Sequence, residues 1–185
     1  MKICIVSDSH DNRALLATAV HDAKQRGAQL VLHCGDVIAP TTLRGLPPLG
    51  LPVHVIHGNN TGDLVAMHYV MNKFPDIIHY HGMDAQLEFA GKRIFLVHYP
   101  HYARAMALTG DYDLVCCGHD HTTVIEQVDN IKGQQTMLIN PGTVGGVGKP
   151  PSYVIGDLER MQFTQHAVPT ENMVIKNTDP VTPHR

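Results

Sequence analysis

Two carboxylates, one amide and four imidazoles stand at the ends of apolar runs in this chain: Asp8 and His10, Asp36, Asn59, His98, and His119 with His121. Oxygen and imidazole donors in that mixture are of borderline hardness. They suit Mn, Fe, Zn, Ni or Co better than Ca, which takes all-oxygen shells, or Cu(I), which takes sulfur. Seven donors exceed the four of a closed structural zinc site. One bridging carboxylate would hold two ions ~3.5–4 Å apart, the arrangement of two-metal phosphoryl chemistry. Singly, each element is ordinary. Asp-x-His arises by chance, Gly-Asp and Gly-Asn are often turns, and a lone histidine is more often a hydrogen-bonded core residue. The ordered set, each member at a strand end, carries the metal reading.

Alternating strands and helices must bring these residues together across more than 110 positions. Residues 3–7 form an apolar run that stops at Asp8. Leu15, Leu16, Ala19, Val20 and Ala23 then recur at helical spacing and end at Gly27, with Asp11 or Asn12 as cap. Residues 29–34 form a second apolar run, stopped by Gly35-Asp36. A strand–helix–strand unit implies parallel pairing and a right-handed crossover. A short helix over 41–46 should end at Pro47-Pro48, and a third strand over 53–57 at Gly58-Asn59-Asn60. A helix over 64–72 and a strand over 77–80 follow. Segments 85–89 and 92–98 flank Ala90-Gly91 as a hairpin. A helix over 103–108 precedes a buried strand over 114–117, stopped by Gly118-His119. Strand-like segments at 122–128, 136–140, 152–158 and 161–168 close the chain. In open α/β sheets, sites form outside the carboxyl ends of strands. The order fits two packed sheets with helices outside. Residues 1–168 read as one domain, and 169–185 as a polar tail.

Composition narrows the class. A hydrophobic share of 43% fits a globular chain, and a formal charge of -3 gives no reason to expect a polyanion partner. No apolar run approaches the ~20 residues of a bilayer-spanning helix, and the start reads as a strand rather than a signal peptide. Cytoplasmic residence is the expectation. Cys4, Cys34, Cys116 and Cys117 lack metal or redox spacing and read as buried free thiols. The 14 histidines include many without a motif. Of these, His33 and His57 lie near strand ends and suit supporting contacts to ligands. His54 and His79 look like ordinary strand residues. Gly145-Gly146 and Gly148 lack a dinucleotide-site context and read as a flexible turn.

Taken together, Asp8-Ser9-His10, Gly35-Asp36, Gly58-Asn59, His98 and Gly118-His119-Asp120-His121 resemble the motifs of the calcineurin-like metallophosphoesterases. The short length and Asn140-Pro141-Gly142-Thr143 are similar to the small bacterial and archaeal phosphodiesterase branch, which also resembles a retromer subunit. The resemblance spans residues 3–158. It implies an α/β fold, a four-layer αββα sandwich of two mixed sheets flanked by helices. It implies two divalent ions, manganese first, with Ni, Fe, Zn or Co as alternatives. Asp8, His10, Asp36 and His121 would hold one; Asp36, Asn59, His98 and His119 would hold the other. Asp36 would bridge, and Asp36, Asn59 and His98 would serve catalysis. A metal-bridging hydroxide would attack the phosphorus of a phosphodiester.

The chain departs from that pattern in three places. Asn60 and Thr61 stand where the family often has His or Cys and then an acid. An amide cannot supply a proton as imidazolium can. Asn60 is therefore expected to hydrogen-bond phosphate, and leaving-group protonation to fall to water, Asp63 or another histidine. His98-Tyr99-Pro100-His101 replaces His-Gly-His, so His101 is an expected substrate contact. Asp11 stands where glycine is usual. Its neighbour Asn12 is a further substrate contact, with a helix cap as the equal alternative. The expected partner is a small phosphate ester, without membrane or sequence-specific nucleic acid; a homo-oligomer fits equally. The competing reading is a non-catalytic metal-binding scaffold or interaction module on the same fold.

Overall fold

The computed structural model describes residues 1–170. It contains two mixed β-sheets and three α-helices in an α/β arrangement. The first sheet runs β11 (Gln162–Ala167), β10 (Ser152–Asp157), β1 (Lys2–Val6), β2 (Val31–His33), β3 (Val53–Val55) and β4 (Ile78–Tyr80). Its centre, from β1 to β4, is parallel, while β10 and β11 pair antiparallel. The second sheet runs β5 (Asp84–Phe89), β6 (Lys92–Val97), β7 (Leu114–Cys116), β9 (Gln135–Pro141) and β8 (Thr123–Asp129). There β6, β7 and β9 are parallel, and the two edge strands antiparallel.

Side-chain alternation along strands creates the layers. In β1, Ile3 and Ile5 join Leu32, Ile94, Leu96 and Ile139 in the core between the sheets. Cys4 and Val6 point the other way, onto Leu16, Ala19, Val20 and Ala23. Those four lie on α1 (Arg13–Gln25), whose helical spacing gathers them on one face. Met67 and Val70 of α2 (Leu64–Lys73) join the same outer core. In β6, Ile94 and Leu96 face inward. Phe95 and Val97 face outward, onto Ala103 and Ala107 of α3 (Pro100–Thr109). One period-two pattern in each sheet thus yields helix, sheet, sheet, helix.

Two local features depart from the sequence expectation. The segment near Thr41 is 3-10 rather than α-helical, over Pro40–Gly45 and again over Pro47–Leu49. Pro47 lacks the N–H needed to extend a helix. Helix α3 begins at Pro100, ahead of the expected 103, because proline suits the first helical position. The hairpin forms as expected, with Phe89 opposite Lys92. Of the expected tail, residues 171–185 lie outside the described residues. Among the described residues, no helix is long and apolar enough to cross a membrane.

Candidate metal centre

The loops that leave β1, β2, β3, β6 and β7 converge at one edge of the sandwich. Main-chain bonds lace them together. Asp8 N donates to Gly35 O at 3.0 Å, His10 N to Asp36 O at 3.0 Å, and Gly118 N to His98 O at 2.9 Å. Val144 N and Gly145 N donate to Ser7 O and Asp8 O. The backbone is strained here: Asp8, His10, Asp36, His119 and His121 all have positive φ, between 41° and 78°. Non-glycine residues in that region cost free energy and persist where surroundings over-determine them.

Two sets of donor atoms form. In the first, His10 Nε2 and His121 Nε2 lie 3.1 Å apart. Asp8 Oδ1 is 3.8 Å from the former and 3.4 Å from the latter, and Asp36 Oδ2 is 3.7 Å from His10 Nε2. In the second, His98 Nε2 is 3.4 Å from Asp36 Oδ1 and 3.0 Å from Asn59 Oδ1. His119 Nδ1 is 2.9 Å from that same Asn59 oxygen. Asp36 therefore turns one carboxylate oxygen toward each set.

Tautomers decide what these distances mean. His98 Nδ1 donates to Cys34 O at 2.8 Å, and His121 Nδ1 donates to Val147 O at 2.7 Å. In its neutral form each ring then presents a bare lone pair at Nε2. In that form the His98 lone pair faces Asp36 Oδ1 and Asn59 Oδ1, and the His121 lone pair faces Asp8 Oδ1, with no proton between them. Asp8 adds a second sign: its side chain is fully buried, and Oδ1 has no hydrogen-bond partner. Burial raises the Asp8 pKa, against the pull of His98 and His121. Converging bare donors, one of them an orphaned buried oxygen, fit a cation.

Glycines clear the space. A Cβ on Gly58 would lie 2.1 Å from Asp36 Oδ1, and one on Gly118 would lie 1.9 Å from Ser7 Oγ and 2.6 Å from Asp8 Oδ2. The glycine of each Gly-Asn and Gly-His pair is thus a steric requirement of the donor beside it.

The sequence expectations divide at this site. Asp8, His10, Asp36, Asn59, His98, His119 and His121 all gather. Asn60 lies against Asp36, giving its main-chain N–H to Oδ1 at 2.9 Å and its amide to Oδ2 at 2.6 Å. Asn12 caps α1, accepting from Leu15 N at 3.2 Å and donating to Gly145 O at 3.2 Å. Asp63 caps α2 through Ala66 N. His101 is exposed on the first turn of α3, in ring contact with Tyr99 and Tyr102. His33 is buried within 3.1 Å of Ser9 Oγ and accepts from Gly35 N. His57 bonds Tyr80 instead. Gly145 is no loose turn: a Cβ there would strike Ser9 O at 2.4 Å.

Two contributors escape sequence reasoning. Asn140 is buried and donates its amide to Gly118 O at 2.9 Å and Asp120 Oδ1 at 2.7 Å. Its oxygen accepts from Gly142 N at 3.0 Å. It thereby fixes the loop carrying His119 and His121. Thr143 Oγ1 donates to Asp8 O at 2.8 Å. The sequence marked Asn140-Pro141-Gly142-Thr143 as a family-like motif closing an apolar strand, which alone names no partner for either residue.

Comparison with known proteins agrees with this fold. The profile of the calcineurin-like phosphoesterase superfamily domain matches residues 1–161. A phosphodiesterase of Methanocaldococcus jannaschii is 28% identical over 170 residues, covering 89% of this chain and 98% of the relative. A solved structure of an archaeal phosphodiesterase superposes with a TM-score of 0.81 at 25% identity, over 90% of this chain and 99% of that one. A phosphoesterase from E. coli shares the fold, with a TM-score of 0.60 at 21% identity over 91% of this chain and 100% of its own.

Proposed function

This chain belongs to the calcineurin-like phosphoesterase superfamily, and from that premise we propose that it hydrolyses phosphodiesters at a centre of two divalent cations. The observation that carries the reading is Asp36, whose two oxygens turn toward two separate groups of histidine nitrogens. Asp8, His10, Asp36 and His121 hold one ion. Asp36, Asn59, His98 and His119 hold the other. Manganese is the first choice carried over from the family resemblance, and Ni, Fe, Zn and Co also suit this mixed oxygen and imidazole set. Such ions lower the pKa of coordinated water and neutralise charge on phosphate oxygens.

The chain's own groups set the stage for that chemistry. Cys34 O and Val147 O hold the His98 and His121 rings in the tautomer that exposes Nε2. Asn60 orients the shared carboxylate and stands ready to donate to a phosphate oxygen. Asp63 is committed to a helix cap rather than set to protonate the departing oxygen. Good leaving groups are therefore the better substrates.

Chelation followed by re-addition of Mn tests the reading on bis(p-nitrophenyl) phosphate, alongside elemental analysis. Two ions per chain and metal-dependent hydrolysis are expected; full activity without metal would overturn the mechanism. The bonding of Asn60 to Asp36, in place of a proton donor, favours the scaffold reading as the alternative. Full occupancy by metal without hydrolysis of any phosphoester would make that the better account.

A further inference from the structure

Tyr99, His101 and Tyr102 form an aromatic strip that begins at the donor cluster. The Tyr99 ring meets His119 edge-on at 4.9 Å between centroids and His98 at 5.4 Å. It continues to Tyr102 at 5.8 Å, nearly perpendicular, and to His101 at 5.6 Å. His101 and Tyr102 lie 4.3 Å apart. The fold does not use the outer two rings. Helix α3 docks through Ala103 and Ala107, while His101 is exposed and Tyr102 is 54% exposed. Neither side chain makes a hydrogen bond or ion pair among the described residues. The other strongly exposed tyrosine, Tyr69 on α2, touches no candidate ligand ring.

We propose that this strip is a subsite for a flat aromatic group, aryl or nucleobase, on an ester arm of the substrate. The inference rests on the phosphodiesterase reading and deepens it. A phosphate held at His98 and His119 carries its ester arms past Tyr99, the residue whose ring touches both. An arm ending in a flat ring then meets Tyr102 and His101, which offer ring faces and edges. Aromatic pairs prefer offset or edge-to-face geometry, and stacking on such rings tolerates any base because every base has a π-face. A methyl arm reaches none of this surface.

Three esters sharing one leaving group test the subsite: the p-nitrophenyl phosphodiesters of methanol, phenol and thymidine 5′-OH. The readout is the ratio of kcat/KM for each ring-bearing ester to that for the methyl ester, compared between wild type and variants. In Tyr102→Leu at least one ratio falls about five- to tenfold, and in Tyr102→Phe it is retained. A fall confined to the thymidine ester identifies the arm as a nucleobase; a fall with phenyl identifies a simple aryl group. Both ratios unchanged in Tyr102→Leu, or lost equally in Tyr102→Phe, would overturn the subsite while leaving metal-dependent hydrolysis intact. No metal-dependent hydrolysis of any of the three would overturn the phosphodiesterase reading and the subsite with it.

Discussion

Gly58→Ala adds one methyl group where the donor sets meet. Its Cβ would stand 2.1 Å from Asp36 Oδ1 and 2.7 Å from His98 Nε2, against an ordinary contact of 3.4 Å or more. The carboxylate must therefore retreat by about 1.3 Å and the ring by about 0.7 Å. A misplacement near 1 Å costs about 10²-fold in rate. Here it displaces the one side chain turned toward both sets and disturbs its two bonds from Asn60. Gly58 does not have positive φ, so alanine brings no backbone strain, unlike Gly35 at +103°. It also lies in the loop beyond β3, outside the apolar core. The variant should lose about 10²-fold in kcat/KM for bis(p-nitrophenyl) phosphate with Mn, bind less metal by elemental analysis, and keep its melting temperature in chelator. Retention of wild-type metal content with kcat/KM within about threefold would refute the steric argument. So would a melting temperature in chelator that falls as far as the activity, because the damage would then be general.

Three further outcomes follow from the same contacts. Asn140→Ala removes bonds to Gly118 O, Asp120 Oδ1 and Gly142 N from a buried position; urea unfolding should read a loss of about 2–4 kcal/mol at roughly 1 kcal/mol or more per bond. Burial holds the His33 pKa down at about 3, from 6.5. The unfolded chain therefore binds this proton first, and stability falls as pH drops from 6.5 toward 3, by about 1.4 kcal/mol per unit from this group. Unfolding curves between pH 6 and 4 should be less steep in His33→Gln than in wild type by about that amount. Finally, Cys4, Cys34, Cys116 and Cys117 are buried, and burial raises the thiol pKa values of Cys4, Cys34 and Cys117. Ellman's reagent should find no reactive thiol in the native protein and four after denaturation.

The sequence carried the layers and the donors unevenly. Strand alternation in β1 and β6, and helical spacing in α1, were legible because each encodes a face by period. The donor set was legible because its members close apolar runs, and strand ends converge whatever the loop details. Three kinds of information were hidden. The role of Asn140 depends on a carbonyl and a carboxylate twenty or more positions away, which no local pattern announces. The choice between cap and substrate contact for Asn12 depends on where Gly145 O falls. The 3-10 form of Pro40–Gly45, a segment that neighbours both α1 and α2, follows no residue period. Asn60 shows the same limit. Its residue type ruled out a proton donor, but only geometry put it on Asp36.

The lacing of main-chain amides to carbonyls between neighbouring loops has a consequence for how this surface can change over generations. The contour of the rim is written in peptide groups, which every sequence variant inherits, and in braces such as Asn140 and Thr143, rather than in the metal-facing side chains displayed there. Exchanging a donor for an inert residue would erase reactivity yet leave the outline standing. A lineage built on such an edge can abandon chemistry and keep a shaped platform for other molecules, or regain chemistry by a few replacements, without refolding.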